Sequence, residues 1–377
     1  MPPRTDEIEI TLFGPGFGEC AVIHLGNNNW LVIDSCIDSQ TGQPAALAYL
    51  HAIGVDPAVA VRLIIATHWH DDHIRGLSRL LAECKKARFC CSAALTKAEF
   101  LASVLRHEAQ QSLAISSGVR EIFKIYEELQ QRPEPLRTPS FASANKRVLS
   151  LPADSSGHGL ECEAWALSPS DKQVQKFLDE LTLLMPTAGE TKRRATAQSP
   201  NHLAVVTWIT IGELALLFGA DLEETKDPGT GWSVIVDSAE RPRNKAAVFK
   251  IAHHGSENAH NDAVWREMLV PNAHAILSPY NRGQKKLPAP ADIQRIMQYT
   301  EHAYISSVSR QPASRKSRPA AVNRTIRETV GKIRLPHPQT GWVTLRNDTA
   351  PTFATWRITL SPNACHLREL HQEMSRS

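Results

Sequence analysis

The sequence predicts an α/β chain of two facing sheets with a polar site at one sheet edge, on three observations. Strand, strand, strand, helix, strand is the order that opens the chain. A second β-rich block follows a helical stretch. In both blocks apolar strands run into ligand-type residues: "VRLIIA" into "THWHDDH" (67–73), "LALLFGAD" onto Asp221, and "AAVFKIAHHGS" onto His253 and His254. Carboxyl ends of buried strands are where open α/β folds tend to place ligand sites.

The elements follow in order. "EIEITLF" alternates polar and apolar, with Ile8, Ile10 and Leu12 on one face of a half-buried strand. "AVIHL" and "WLVID" form a hairpin around "GNNN", whose Gly and Asn accept the positive φ of a tight turn. "AALAYLHAIG" is a helix ended by Gly54, and "VRLIIAT" the next strand. "LTKAEFLASVL" and "VREIFKIYEELQQ" carry apolar residues at helical spacing, and "RPEPLRTPSFASANK" is a connector. "LECEAWALSPS" reads as a strand and "DKQVQKFLDELTLL" as an amphipathic helix. "HLAVVTWIT", "LALLFGAD", "AAVFKIAHHGS" and "AHAILSPYN" are the strands of the second block, then comes the helix "ADIQRIMQYT" and a closing hairpin "GWVTLRND…TWRITLSP".

The 377 residues suit one large α/β domain or two ordinary ones; 42% hydrophobic and 21% charged residues are the balance of a soluble globular chain. A net charge of +3 neither demands nor excludes a nucleic-acid partner. Seven Cys, at 20, 36, 84, 90, 91, 162 and 365, include no CxxC pair, which reads as reduced thiols. No apolar leader and no apolar run approaching ~18 residues is visible, so a cytoplasmic location without a membrane span is expected.

His68-x-His70-x-Asp72-His73 packs neutral imidazoles and carboxylates into one turn, a donor set for zinc and its first-row neighbours. Two ions would use it fully, His68 and His70 on one, Asp72 and His73 on the other. The competing reading is a solvated loop rich in His. Asp221 alone would pass as a helix N-cap. Three buried strands ending in such residues favour a convergent metal site. Gly14-x-Gly16-x-Gly18 precedes no helix and so marks a tight turn rather than a dinucleotide loop. Trp30, Trp165, Trp208 and Trp356 are expected in the core.

His68-x-His70-x-Asp72-His73, Asp221 after "LLFG" and "HHGS" at 253–256 resemble the metallo-β-lactamase fold. Together with "GPGFGECAVIHLGNNNWLVIDSC", "SPNHLAVVTWI", "AILSPYN" and "LPAPADIQRI", they resemble the branch related to the hydrolase domain of competence-type DNA-uptake proteins. The likeness spans residues 8 to 360. It implies an αββα sandwich forming one domain over 7–360, with a helical insertion at 95–145, a loop insertion at 172–198 and a C-terminal tail at 361–377. It also implies a dinuclear centre of two divalent ions, zinc first, with manganese and iron suiting the same ligands. His68 and His70 would hold the first ion, Asp72 and His73 the second, and Asp221 both. One of "HHGS" completes the second site; His253, nearest the strand end, is favoured, with His254 behind it or on the substrate. Asp34 would steady a ligand histidine. Asp72, His253 and His254 are thus the candidate catalytic residues. His202 is a candidate third ligand of the first ion, His158 a weaker one, and a more open site without either is the alternative.

The unsettled third ligand is one departure from the family's pattern, and the late loop is a second. Many relatives carry a His ahead of the late-loop Pro-x-Pro, where this chain has Leu287. The implied chemistry is hydrolysis by a metal-activated water. Phosphodiesters in nucleic acid or nucleotides are the expected substrates, with small acyl, lactam or thioester compounds as the alternative. A non-catalytic metal-binding scaffold, with partner proteins of a bacterial multi-component system, is the third possibility. Eight Lys and Arg with one Glu between 310 and 334, and Lys285, Lys286 and Asn281 on the late loop, are candidate contacts for a phosphate-bearing substrate.

Overall fold

The computed structural model describes residues 1–14, 17–96, 117–153, 160–184, 200–282, 286–308, 340–348 and 355–376. The first half of the helical insertion, His158, Lys285 and the basic stretch 310–334 lie outside them.

Two eight-stranded sheets stack face to face. The first runs in the order β15 (Arg357–Leu360), β14 (Gly341–Asp348), β1 (Glu7–Gly14), β2 (Cys20–His24), β3 (Trp30–Ile33), β4 (Val61–Ala66), β5 (Arg88–Ser92), β6 (Ser140–Ala142). The second runs β16 (Cys365–His366), β13 (Ala303–Ile305), β12 (Leu269–Leu277), β11 (Ala246–Lys250), β10 (Leu214–Phe218), β9 (Thr207–Ile211), β8 (Cys162–Ala166), β7 (Lys146–Leu151).

The period-2 alternation of the strands builds three layers of core. Ala21 and Ile23 of β2, with Leu63 and Ile65 of β4, face Leu216 of β10, Val248 of β11 and Ile276 of β12 between the sheets. Their sequence neighbours Val22 and Ile64 point outward, under helices Ala45–Ala52, Leu77–Glu83 and Ser117–Gln130. Leu217 and Phe249 point outward on the other side, under Gly231–Asp237, Pro290–Ile296 and Leu367–Arg376. The result is the expected αββα sandwich.

Four segments take a definite form. The helix expected at "DKQVQKFLDELTLL" is Asp171–Leu184, so the segment 172–198 opens as helix, and its residues from 185 lie outside the described ones. The segment expected as a C-terminal tail, 361–377, supplies β16 and the helix Leu367–Arg376, with Leu367 fully buried. Within 95–145, the stretch expected as a connector holds the edge strand β6, Ser140–Ala142. "HLAVVTWIT" becomes a strand only at Thr207; Pro200–Leu203, which holds His202, is a 3₁₀ turn. Of the tryptophans expected inside, Trp30, Trp208 and Trp356 are buried, while Trp165 is half-buried under the Arg147 guanidinium.

The β2–β3 hairpin turns through Gly26, Asn27 and Asn28, all at positive φ. His24 beside this turn has its Nδ1 against Glu7 O (2.8 Å), and its Nε2 accepts from Asn28 N (3.1 Å). Only the neutral ring serves both partners, and burial pushes its pKa down to about 4. A depressed histidine contributes stability that is complete above pH 6.5 and is lost as pH falls towards 4, worth up to about 3 kcal/mol. Urea midpoints of wild type and His24→Gln should therefore converge between pH 7 and pH 4. Parallel curves would refute this role.

Candidate metal centre

β4 of the first sheet and the paired, parallel strands β10 and β11 of the second deliver the site from their carboxyl ends. After β4, Thr67 leads into His68, His70, Asp72 and His73, the last two in the short helix Asp71–Ile74. After β10 the chain passes Ala220, at φ 46°, to Asp221. After β11 both His253 (φ 46°) and His254 (φ 55°) are left-handed. Side chains other than Gly pay for that conformation, and such positions concentrate at functional sites.

Four atoms converge. His73 Nε2 stands 3.2 Å from Asp221 Oδ2 and 3.8 Å from Asp72 Oδ2; His254 Nε2 stands 3.4 Å from Asp72 Oδ2 and 3.7 Å from Asp221 Oδ2. Ligands about 2 Å from one tetrahedral ion stand roughly 3.3 Å apart, so these four form a cage of metal-binding size. His73 Nε2, His254 Nε2 and Asp221 Oδ1 are buried with no hydrogen-bond partner, which a cation would provide. Beside the cage, His68 Nε2 faces His70 Nδ1 at 3.1 Å, again the spacing of two ligands.

The rings are aimed from behind. Asp34 accepts from Thr67 N (2.8 Å) and Thr67 Oγ1 (2.7 Å), and His73 Nδ1 donates to it (2.7 Å). Thr67 Oγ1 spends its proton on Asp34 and so accepts from His68 Nδ1 (3.0 Å). His254 Nδ1 is held by Ser278 O (3.1 Å). In all three rings Nε2 keeps its lone pair for a metal. Asp34 thus lies behind the His73 ring, on the side away from the cage.

The field in the cage favours a cation. Burial would lower the His73 pKa, but Asp221, Glu19, Asp34 and Asp72 raise it well above the usual range. His254 is raised against burial by Asp221, Asp72 and Glu19. Burial would raise Asp72 and Asp221, yet His73 and His254 hold both carboxylates below their ordinary range. His68 and His70 are pushed down by burial and so stay neutral, the ligand form.

Glu19, His73, Asp221 and His254 also bring ligand-type atoms within 4.8 Å of one another. Glu19, however, faces the Nδ1 sides of the two rings, at 3.7 and 3.8 Å. Its oxygens are taken by Lys250 and by Ser278 Oγ (2.5 Å). It therefore buttresses the cage from outside.

His253 turns away: its Nδ1 lies 3.0 Å from Asn258 Oδ1 and its Nε2 3.3 Å from Asn201 Nδ2. His202 pairs with Glu223 (3.6 Å), apart from the cage. Neither the favoured His253 nor the candidate His202 reaches the cage, whereas His254 Nε2 lines it. Asn281 is half-buried and Lys286 exposed. From the same loop, Tyr280, Arg282 and Leu287 wall a cavity of about 480 Å³ above the cage, together with Phe17 and Trp69. The Arg282 guanidinium lies 4.4 Å over the Phe17 ring. Sequence reasoning missed Glu19, Lys250, Ser278, Tyr280, Arg282 and Phe17. The signals available for them were a Glu in a Gly-rich turn and a Lys closing an apolar strand.

A family model described as the Metallo-beta-lactamase superfamily matches residues 13–264. Among solved structures, the chain is similar to the metallo-beta-lactamase fold protein YhfI from Bacillus subtilis, at 11% identity over 80% of this chain and 95% of that one, with a TM-score of 0.39. A metallo-beta-lactamase from Cronobacter sakazakii with a HARLDQ motif aligns at 16% identity over 64% and 73%, with a TM-score of 0.33. The Rm3 metallo-beta-lactamase aligns at 14% over 66% and 79%, with a TM-score of 0.31. No curated protein matches the chain. Among the described residues, no helix is long and apolar enough to cross a membrane.

Proposed function

The chain belongs to the metallo-beta-lactamase superfamily, and from that premise we propose that it is a metal-dependent hydrolase cleaving phosphodiesters in nucleic acid or nucleotides. The observation that carries the reading is the Asp72–His73–Asp221–His254 cage, beside the His68–His70 pair, opening into a cavity with an arginine on its wall.

Two divalent ions, zinc first, held there would supply a water acidified towards neutrality and positive charge facing the attacked centre. The chain's residues do the rest. Asp34, Thr67 and Ser278 hold three imidazoles in the ligand tautomer. Leu287 and Trp69 give the cavity apolar lining. Burial, with Asp72 and Asp221, raises the Tyr280 pKa, so its phenol stays a hydrogen-bond donor. Arg282, a fork of donors beside an aromatic face, suits a phosphate next to a planar base. Kinship with the hydrolase domain of competence-type proteins belongs to this proposal and is supported by the order of the motifs. A cytoplasmic setting belongs to it too, in keeping with seven buried, unbridged cysteines.

The test is metal content together with hydrolysis of bis(p-nitrophenyl) phosphate, in wild type and Asp72→Ala. About two metals per chain are expected, with roughly a thousandfold loss of rate in the variant. Turnover of a thioester or lactam reporter without turnover of the phosphodiester would replace this reading with acyl hydrolysis. Bound metal with no turnover of any reporter would leave a scaffold.

A further inference from the structure

We propose that Lys250 is a positioning residue of the metal cage: a built-in ammonium that holds Asp221 and, through Glu19 and Ser278, the ring of His254. The inference rests on the metal-centre reading above.

Lys250 ends β11 with 2% of its surface exposed. A lysine is rarely buried this deeply without partners, because its charge costs several kcal/mol to desolvate. All of its partners belong to the frame of the cage. Nζ donates to Ala220 O (2.9 Å), the carbonyl just before Asp221, and that oxygen also accepts from His253 N (3.0 Å). Nζ pairs with Glu19 Oε1 and lies 3.9 Å from Asp221 Oδ1. Glu19 Oε2 accepts from Ser278 Oγ, and Ser278 O holds His254 Nδ1. One ammonium thus ties together the left-handed turn that presents Asp221, the turn that presents the histidine, and the residue that aims the histidine. In the same way it keeps Glu19 occupied outside the cage.

Simple electrostatics predicts the opposite consequence from positioning, and the contrast makes a test. Removing a cation beside a dication site should tighten metal binding if charge is all that Lys250 contributes. If it positions the ligands, removal should weaken binding even though repulsion is relieved.

Zinc affinity and stoichiometry would be measured by competition with a chromogenic chelator. The proteins are wild type, Lys250→Gln, and the double variant Glu19→Gln/Lys250→Met, which leaves no unpaired buried charge. Circular dichroism and Tm of the metal-free proteins serve as controls of folding. The expected result is affinity lower by about 10- to 100-fold in both variants, the range for residues that orient metal ligands. Equal or tighter binding in a folded variant overturns the proposal. If neither variant folds it is overturned too, because the pair then holds the sheets rather than the cage. Wild type that takes up no metal overturns this inference and the metal-centre reading together; wild-type binding with unaltered variants overturns this one alone.

Discussion

His254→Ala is expected to lose one metal equivalent, with affinity for that ion falling by at least ~100-fold, because a direct ligand outweighs an orienting partner worth about 10- to 100-fold. His253→Ala is expected to keep the metal content of wild type. The two residues are adjacent and identical, yet their nitrogens serve different places. His254 Nε2 lies within 3.4 and 3.7 Å of the carboxylates of Asp72 and Asp221, while His253 is engaged with Asn258 and Asn201. Elemental analysis after dialysis of both variants decides it. Metal lost from His253→Ala and retained by His254→Ala would reverse the assignment.

Asp34→Asn should be nearly as damaging although it touches no ligand position. The carboxylate accepts three hydrogen bonds: two from Thr67 and one from His73 Nδ1. An amide can keep the bond from Thr67 N but offers an N–H where His73 donates. The ring escapes that clash by moving its proton to Nε2, which removes the lone pair from the cage. Metal affinity should drop about 10- to 100-fold. A buried donor left unmatched should cost roughly 2 kcal/mol of stability. Chelator competition and urea denaturation check both effects, and unchanged affinity would mean that the ring is held by packing alone.

The sandwich was legible because its strands alternate cleanly and end on residues that apolar strands seldom carry. β6 and β16 were not: at three and two residues they are too short to show a period, and tertiary pairing alone makes them strands. Asp72, His73 and Asp221 could be singled out by type and position. The choice between His253 and His254 could not, since it turns on two positive φ values that spacing does not encode. Lys250 closes "AAVFK" like any strand-ending lysine; only the approach of Glu19 from the other sheet reveals its role. Arg282 entered the cavity wall through a ring stacked from the far end of the chain.

The register of β1 also has a consequence for synthesis. Its eight residues pair along their full length with β14, Glu7 opposite Asp348 and Gly14 opposite Gly341. During translation the β14-facing edge of β1 therefore waits, with its backbone groups unmet, until residues 341–348 have left the ribosome. Contacts so distant in sequence slow folding, and an open strand edge invites pairing with another molecule. The open edge is exposed to intermolecular pairing throughout that interval, and a chain truncated before residue 341 would carry it permanently.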